Sequence, residues 1–205
     1  MKNVMELIHT GPAIVIERAR LEHGKYLKNF VFYQWKTESG FADDRILFQP
    51  INLDRELSSN RFGGSGADIF IAKRTIRVDL DDESILKNEY LPDYEDVDVV
   101  LGMTRALTFD KTYYLTHCSV APLAQTLMLG SKLFSRVILE AQRLDLEKVE
   151  SLIHKKNRSV LLNLQHFARL DGRKRSDIFS EIDAGHEYGK YMQDPNEWLL
   201  LSWAV

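Results

Sequence analysis

The amino-acid sequence predicts an α+β fold, with a mainly antiparallel sheet from the N-terminal ~120 residues and a C-terminal helical layer. Apolar and polar residues alternate along several segments before residue 120, which is the period of a half-buried strand. From Pro122 onward the apolar residues recur three or four positions apart, which is the period of a helix. Because strands come first and helices after, the order is typical of α+β rather than of alternating α/β proteins.

No linker rich in proline, glycine or serine divides the chain. We therefore expect a single domain over residues 1–205, β-rich over residues 1–120 and with a helical subdomain over residues 121–205. A chain of 205 residues can bury enough apolar surface to fold without disulfides or a structural metal.

The strand predictions rest on short runs of aromatic and β-branched residues bounded by turn-forming residues. The clearest alternation is in residues 75–80, where Ile76, Val78 and Leu80 share one face. Asp110–Lys111 is a two-residue turn between strand-forming segments, so it predicts a hairpin. The predicted strands are residues 30–35, 45–49, 68–72, 75–80, 96–101, 106–109 and 112–120, with a short helix at residues 84–91.

Three helices and one shorter segment are expected after the hairpin. Pro122 suits a first helical turn because it has no amide hydrogen to leave unpaired, and this helix extends to Arg143. Asp145 is the predicted N-cap of a helix through Lys156. The remaining expectations are a helix over residues 158–170, a helical segment capped at Ser176–Asp177, and a closing strand or docked terminal segment over residues 198–203.

Composition and cysteine usage indicate an intracellular protein. The chain is 44% hydrophobic and 28% charged, as ordinary globular proteins are. Cys118 is the only cysteine, so no disulfide can form within the chain and a reducing compartment is favoured. No signal peptide and no apolar run of membrane-spanning length is visible. We expect a cytoplasmic protein, or one within a particle assembled in the cytoplasm, with no membrane partner.

The charges are separated along the chain. Residues 79–98, the acidic region, hold nine acids and one base, whereas residues 144–175, the basic region, hold eight bases and four acids. Oppositely charged regions attract copies of the same chain or a partner with both signs, so we expect a homo-oligomer or binding to another protein. The net charge of −3 disfavours general nucleic-acid binding, which needs a basic surface, although the basic region would allow it.

Three sets of charged or glycine-bearing residues are candidates for partner binding. The loop at residues 58–66 can hold a partner or a phosphate, because consecutive glycines turn backbone N–H groups toward an anion. The acidic region fits a solvated face, a partner or a divalent cation. The cluster at residues 173–175, near a predicted helix end, fits solvation, an acidic protein or nucleic acid. The residues that we expect to bind a partner are Arg61, Phe62, Asp93, Glu95, Asp96, Arg173, Lys174 and Arg175.

Two further groups resemble incomplete catalytic sites. His117, Cys118 and Ser119 bring an imidazole, a thiol and a hydroxyl together, yet on a strand Cys118 points away from His117. We interpret them as a buried structural cysteine and a satisfied histidine. Glu150 and His154 are four positions apart and would share a helix face, but a metal site of this kind needs a second such helix, which the sequence lacks. The sequence therefore predicts no catalytic residue, no cofactor and no metal ligand.

These observations favour a non-enzymatic assembly or adaptor protein that acts through protein–protein contacts, with a structural component of a viral or phage particle as one example. An acidic patch that meets a basic patch on another copy makes a head-to-tail contact, which gives rings or filaments. One alternative is a metal-dependent hydrolase or nuclease that uses the acidic region, with the basic region guiding phosphate. Another is a regulator that binds one other protein in a one-to-one complex.

Overall fold

The computed structural model describes residues 13–24, 26–27, 57, 67–77, 96–121, 124 and 127–205. Within these ranges the strands are β1 (Val15–Arg18), β2 (Asp68–Arg77), β3 (Asp96–Phe109), β4 (Thr112–Val120), β5 (Lys148–His154), β6 (Phe179–Glu181) and β7 (Trp198–Ala204). The α-helices are α1 (Leu129–Arg143), α2 (Arg158–Leu170) and α3 (Arg175–Ile178), and 3-10 helices span Leu21–His23, Gly189–Tyr191 and Pro195–Glu197. No helix in the described ranges is both long and apolar enough to cross a membrane.

The seven described strands form one sheet in the order β1-β2-β3-β4-β5-β7-β6. Neighbouring strands are antiparallel except for the central pair, β4 and β5, which is parallel. A parallel pair needs a crossover connection, and α1 supplies it by crossing one face of the sheet. We call this face, which carries α1 and α2, the helix face, and the other one the opposite face.

The predicted C-terminal helical layer is wrong. After residue 121, described strands alternate with helices, because α1 lies between β4 and β5 while α2 and α3 lie between β5 and β6. The helices therefore interrupt the strand order instead of following it. The fold is α+β only in the broad sense of a mostly antiparallel seven-stranded sheet with helices.

The error arises at residues 145–156, which the sequence analysis assigns to a helix. Val149, Leu152 and Ile153 have helical spacing, but the segment forms β5 because β7 pairs with it along its whole length. Asp145 has a φ of +54°, a left-handed conformation, whereas an N-cap residue is extended. Long-range strand pairing outweighs the local helical preference here.

Residues 68–77 also differ from the prediction, since a single strand replaces the expected pair of strands. β2 contains a β-bulge between Ala72 and Lys73, where polar residues interrupt the apolar pattern. The residues from Ile69 to Ala72 are all buried, because β2 is an interior strand that is covered on both faces. The interruption in the sequence therefore marks a bulge rather than a turn.

Several local predictions are confirmed. The hairpin of β3 and β4 turns at Asp110–Lys111, and Asp110 has a φ of +50°. α2 has the predicted bounds, and the Asn157 side chain caps it by accepting a hydrogen bond from the Val160 amide. β7 is the expected closing strand. By contrast, α1 begins at Leu129 instead of at Pro122. Pro122 and the elements predicted at residues 30–35, 45–49 and 84–91 lie outside the described ranges.

Aromatic side chains join the helices to the sheet. Phe134 of α1 contacts Phe167 of α2 and Trp203 of β7 edge to face, with ring centroids 5.5 Å apart in both pairs. Such pairs contribute about 0.5–1.5 kcal/mol each beyond the area that they bury. Because successive strand residues face opposite ways, Ser202 lies on the opposite face, next to Trp203 on the helix face.

Glu140 ties α1 to the far edge of the sheet. Its side chain is 2% exposed and accepts hydrogen bonds from Arg18 Nη2 and Arg143 Nη2, both at 2.6 Å. Arg136 Nη2 lies 3.4 Å from the same carboxylate. Burial alone would raise the pKa of Glu140, but the hydrogen bond from Arg143 and the charges of the three arginines hold this pKa below its ordinary value. Arg18 also pairs with Asp68, so one ionic network joins α1, β1 and β2.

Candidate functional site

β4 and β5 are paired only at their beginnings, so a wedge opens between their carboxyl ends. The paired positions are Thr112–Lys148, Tyr113–Val149 and Tyr114–Glu150. Beyond them the Ser151 hydroxyl donates to the Leu115 carbonyl at 2.9 Å, and no further backbone pairing joins β4 to β5. Crevices at the carboxyl ends of parallel strands are common ligand sites. We call this opening the wedge.

A β-bulge shapes the β4 side of the wedge. The pairing between β3 and β4 shifts between Arg105 and Ala106, which leaves Thr116 as the extra residue on β4. The Thr116 hydroxyl accepts a hydrogen bond from Arg105 Nη1 at 2.8 Å. Bulges bend a strand and redirect its side chains, and they are frequent beside active sites. This bulge lies where β4 leaves β5, so it contributes to their separation.

Residues beyond the bulge alternate between the two faces of the sheet. Val120 pairs with Gly102, and a Cβ on Gly102 would lie 3.1 Å from Leu133 of α1. This pair is therefore on the helix face, and Cys118, two positions before Val120, shares that face. Cys118 is exposed, which corrects its interpretation as a buried core residue.

His117 and Ser119 are on the opposite face, where they contact each other. His117 Nε2 lies 2.7 Å from Ser119 Oγ. Burial, together with the charge of Arg105, lowers the pKa of His117 to about 4. The imidazole is therefore uncharged at neutral pH, as a group that accepts a proton must be.

The amino end of α1 belongs to the connection that follows β4. Met128 precedes the first helical residue with a φ of +53°, and no side chain in the described part of the chain caps the helix. The first turn has no acidic residue, and the exposed Lys132 follows it. The first amide N–H groups of a helix have no intrahelical acceptor and the dipole is positive there, so such an end attracts anions. Together with the wedge, it fits a ligand that carries phosphate groups.

A buried carboxylate lies at the narrow end of the wedge, on the opposite face. Tyr114, Glu150 and Ser202 are neighbours across β4, β5 and β7. Glu150 is 4% exposed. Its carboxylate accepts hydrogen bonds from Lys148 Nζ at 2.7 Å, Tyr188 Oη at 3.0 Å and Ser202 Oγ at 3.4 Å. These donors compensate a charge that would otherwise be costly to bury.

Tyr188 belongs to the connection between β6 and β7, which folds over this row of residues. Its ring centroid lies 5.8 Å from that of Tyr114 and 5.5 Å from that of His186. Burial, and then the hydrogen bond to the Glu150 carboxylate, raises the pKa of Tyr188, so the hydroxyl stays protonated and donates. We call the half-exposed rings of Tyr114, His186 and Tyr188 the aromatic patch.

A tight turn fixes the position of Tyr188. Asp183 Oδ1 accepts hydrogen bonds from the amides of Gly185 at 2.8 Å and His186 at 2.9 Å. A Cβ on Gly189 would lie far inside van der Waals contact with the Asp183 carbonyl oxygen. Only glycine fits at this position.

Replacing Gly189 with alanine is expected to lower the free energy of unfolding by roughly 1–3 kcal/mol, because the methyl group must displace the Asp183 backbone. Urea denaturation measures the change. Gly130→Ala is the matched control, since a Cβ at Gly130 meets no atom within 4 Å, and it should be neutral or stabilising. Equal stability of the two variants would contradict the close approach at Gly189.

Part of the predicted basic cluster makes contacts within the chain. Arg173 Nε donates to Asp171 Oδ2 at 2.7 Å, and the guanidinium lies 4.4 Å from the Trp203 ring centroid. Lys174 and Arg175 are exposed at the beginning of α3. These contacts give Arg173 a place in the packing against β7, and partner binding by Arg173, Lys174 and Arg175 stays a prediction.

The other predicted partner-binding residues cannot be placed beside them. Arg61, Phe62, Asp93 and Glu95 lie outside the described ranges, and Asp96 is described only as the first backbone position of β3. Within those ranges no three His, Cys, Asp or Glu side chains are grouped so as to hold a metal ion. The wedge is not among the sites that the sequence analysis selects.

The sequence analysis misses Glu150 and Tyr188 for different reasons. It assigns Glu150 to a helix because Val149, Leu152 and Ile153 have helical spacing, whereas the segment is the strand β5. Tyr188 comes beside Glu150 only through the fold, because 38 positions separate them. No local pattern marks it.

The fold is similar to that of solved acetyltransferases, although no protein-family model and no curated protein matches the chain. The GNAT-family acetyltransferase from Streptococcus pneumoniae aligns with a TM-score of 0.58 and 15% identity over 94% of this chain and 99% of that one. The GNAT-family acetyltransferase from Staphylococcus aureus Mu50 aligns with a TM-score of 0.56 and 16% identity over 93% and 99%. The PaiA N-acetyltransferase from Thermoplasma acidophilum, solved in complex with coenzyme A, aligns with a TM-score of 0.58 and 9% identity over 95% and 100%.

At these identities the likeness identifies the fold, which is that of the GNAT acetyltransferases. It overturns the hypothesis of a non-enzymatic assembly or adaptor protein and that of a viral structural component. The same finding overturns the alternatives of a metal-dependent hydrolase or nuclease and of a one-to-one regulator. All of these hypotheses relied on charge patterning and on the lack of a complete catalytic motif, neither of which contains information on strand order.

Proposed function

We propose that this protein is an acyltransferase that takes an acyl group from a coenzyme A thioester and transfers it to an amine. The observation that carries the proposal is the wedge between β4 and β5, followed in the chain by the uncapped amino end of α1. The fold that the chain shares with solved acetyltransferases supports it. An acyl-CoA suits such a site because it combines phosphates with a long, amide-bearing arm that ends in the thioester.

The residues around the wedge fit this donor. The amino end of α1 offers amide N–H groups and a positive dipole to the phosphates, and the exposed Lys132 adds a positive charge. Backbone pairing between β4 and β5 ends at Tyr114 and Glu150. Where the two strands diverge, the amides of the arm can pair with a strand backbone, as an added strand pairs with a sheet edge.

The chemistry needs a group that accepts a proton. The amine nitrogen attacks the thioester carbonyl carbon, a C–N bond forms and the C–S bond breaks. The amine must lose a proton and the leaving thiolate must gain one. His117 is the candidate acceptor for the amine proton, because it lies on β4 beyond the bulge and its Nε2 contacts the Ser119 hydroxyl on the opposite face.

Binding and turnover of acetyl-CoA test the proposal. We expect acetyl-CoA to bind in calorimetry and, with a panel of primary amines, to release free coenzyme A that a thiol reagent detects. Because Cys118 is exposed and would itself react with that reagent, the assay should use the Cys118→Ser variant. Failure to bind acetyl-CoA at millimolar concentration would contradict the proposal.

Replacing Gly130 with aspartate is expected to change stability and donor binding in opposite directions. Gly130 is the second residue of α1, and a Cβ there would meet no atom within 4 Å. Aspartate should stabilise the protein by about 0.5–1.5 kcal/mol, since it has a better helix propensity than glycine and offsets the dipole. The same carboxylate should repel the donor phosphates and weaken acetyl-CoA binding by about tenfold or more.

Gly130→Asn is the matched control, because it has nearly the same shape as aspartate without the charge. It should bind acetyl-CoA within about threefold of the wild type, since the helix dipole is left in place. Calorimetry measures both affinities, and the difference between them should shrink at high salt. If both variants bind acetyl-CoA equally at low salt, the amino end of α1 does not hold the phosphates.

A further inference from the structure

The aromatic patch of Tyr114, His186 and Tyr188 has no part in holding the proposed donor. It lies on the opposite face, whereas α1 lies on the helix face. Tyr114 belongs to the last paired position before β4 and β5 separate. A second substrate on the patch would therefore be next to the wedge and on the side away from α1.

A hydrogen bond and a tight turn fix the Tyr188 ring of the patch in place. Tyr188 donates to the Glu150 carboxylate at 3.0 Å, and Lys148 and Ser202 fix that carboxylate from β5 and β7. The turn that ends at Gly189 leaves no space for a side chain, so the backbone beside Tyr188 has little freedom. A rigid ring is suited to selecting one kind of ligand.

The chemistry of the patch favours a positive charge. The faces of aromatic rings are negative, so an ammonium group within about 6 Å of a ring centroid is attracted. The Tyr188 ring is stacked with His186 and tilted against Tyr114, so the three rings form one adjoining aromatic surface. Glu150 lies behind Tyr188 and adds negative charge, of which Lys148 offsets a part. Glu187 is exposed next to Tyr188 and acts in the same direction. An acidic acceptor would be repelled here, whereas a cationic amine would be attracted.

We infer that Tyr188 determines the specificity for the acceptor, and that this acceptor is an amine with a further, unreactive ammonium group that docks on the aromatic patch. The inference rests on the proposed acyltransferase function and adds the acceptor class to it. The Tyr188 ring supplies the attraction, and its hydroxyl serves to hold the ring against Glu150. Glu150 is a positioning residue, since it acts through Tyr188.

Tetramethylammonium tests the inference, because it is an ammonium cation that cannot be acylated. We expect the wild-type protein to bind it about tenfold more tightly than tert-butyl alcohol, an uncharged molecule of similar shape. Tyr188→Leu and His186→Leu should each lose most of this preference, whereas Tyr188→Phe should keep it. Phe109→Leu is the matched control, because Phe109 is 79% exposed at the tip of the β3–β4 hairpin, and it should bind as the wild type does.

Equal binding of the two probes by the wild type would overturn the inference, as would equal binding of tetramethylammonium by the wild type and both leucine variants. If Tyr188→Leu fails to fold, the wild-type comparison and His186→Leu decide the question. Titration with acetyl-CoA runs in parallel. Binding of acetyl-CoA without selective binding of tetramethylammonium refutes the acceptor class alone, whereas failure to bind acetyl-CoA refutes the proposed function.

Discussion

Replacing Glu140 with alanine is expected to lower the free energy of unfolding by about 3–5 kcal/mol, the usual cost of removing one partner from a buried ionic pair. The carboxylate is 2% exposed and lies between Arg18 of β1 and Arg136 of α1. Without it, these guanidinium groups face each other with no charge between them, and the lost side chain leaves a cavity. Urea denaturation followed by circular dichroism measures the loss.

Arg143→Ala is the matched control for Glu140→Ala. Arg143 donates to the same carboxylate at 2.6 Å, but its side chain is 64% exposed, so solvent screens this pair and its loss should cost much less stability than the loss of Glu140. Glu140→Gln keeps the shape and loses the charge, and it should fall between the two. If Glu140→Ala loses no more free energy of unfolding than Arg143→Ala does, the view that a buried carboxylate joins α1 to β1 is contradicted.

The His117 imidazole is expected to make the protein less stable as the pH falls from about 6.5 to about 4. Its pKa is about 4 in the folded protein against an ordinary 6.5, because burial and the charge of Arg105 disfavour the protonated form. In this range the unfolded chain takes up a proton that the folded protein does not. The stabilisation that the uncharged His117 gives to the folded protein is therefore complete above pH 6.5 and is lost toward pH 4. It amounts to roughly 3 kcal/mol at most.

Carboxylates also titrate in this range, so the informative comparison is between the wild type and His117→Gln. The wild type should lose more stability than this variant between pH 7 and pH 4, by roughly 1–3 kcal/mol. His166→Gln, on the exposed side of α2, is the matched control for the loss of a histidine. Identical pH profiles for the wild type and His117→Gln would mean that the fold does not hold this ring uncharged.

Structural features that depend on a few neighbouring residues could be predicted from the sequence. The turn at Asp110–Lys111 and the helical spacing of residues 158–170 are of this kind, and both the hairpin and α2 are present. β5 could not be predicted, because the spacing of its apolar residues also fits a helix. What decides its structure is pairing with β7, in which Glu150 lies beside Ser202, 52 positions further along the chain.

The candidate site could not be predicted because it depends on strand geometry. The wedge results from a bulge at Thr116 and from a short stretch of pairing, and no residue type marks either of them. Charge patterning is misleading here for a physical reason. Lys155 pairs with Glu181 and Lys156 lies near Glu197, so acids from beyond the basic region compensate part of it in the fold.

The short pairing between β4 and β5 divides the sheet into two halves. β1 to β4 lie on one side of this seam, and β5, β7 and β6 lie on the other. The seam has three paired positions, as few as the edge pair of β6 and β7 and fewer than any other neighbouring pair, so it is the weakest backbone connection in the interior of the sheet. A molecule that fills the wedge contacts both halves and binds only when they are together. Ligand binding therefore adds to the free energy that holds the two halves together, by an amount that grows with the ligand concentration relative to its Kd.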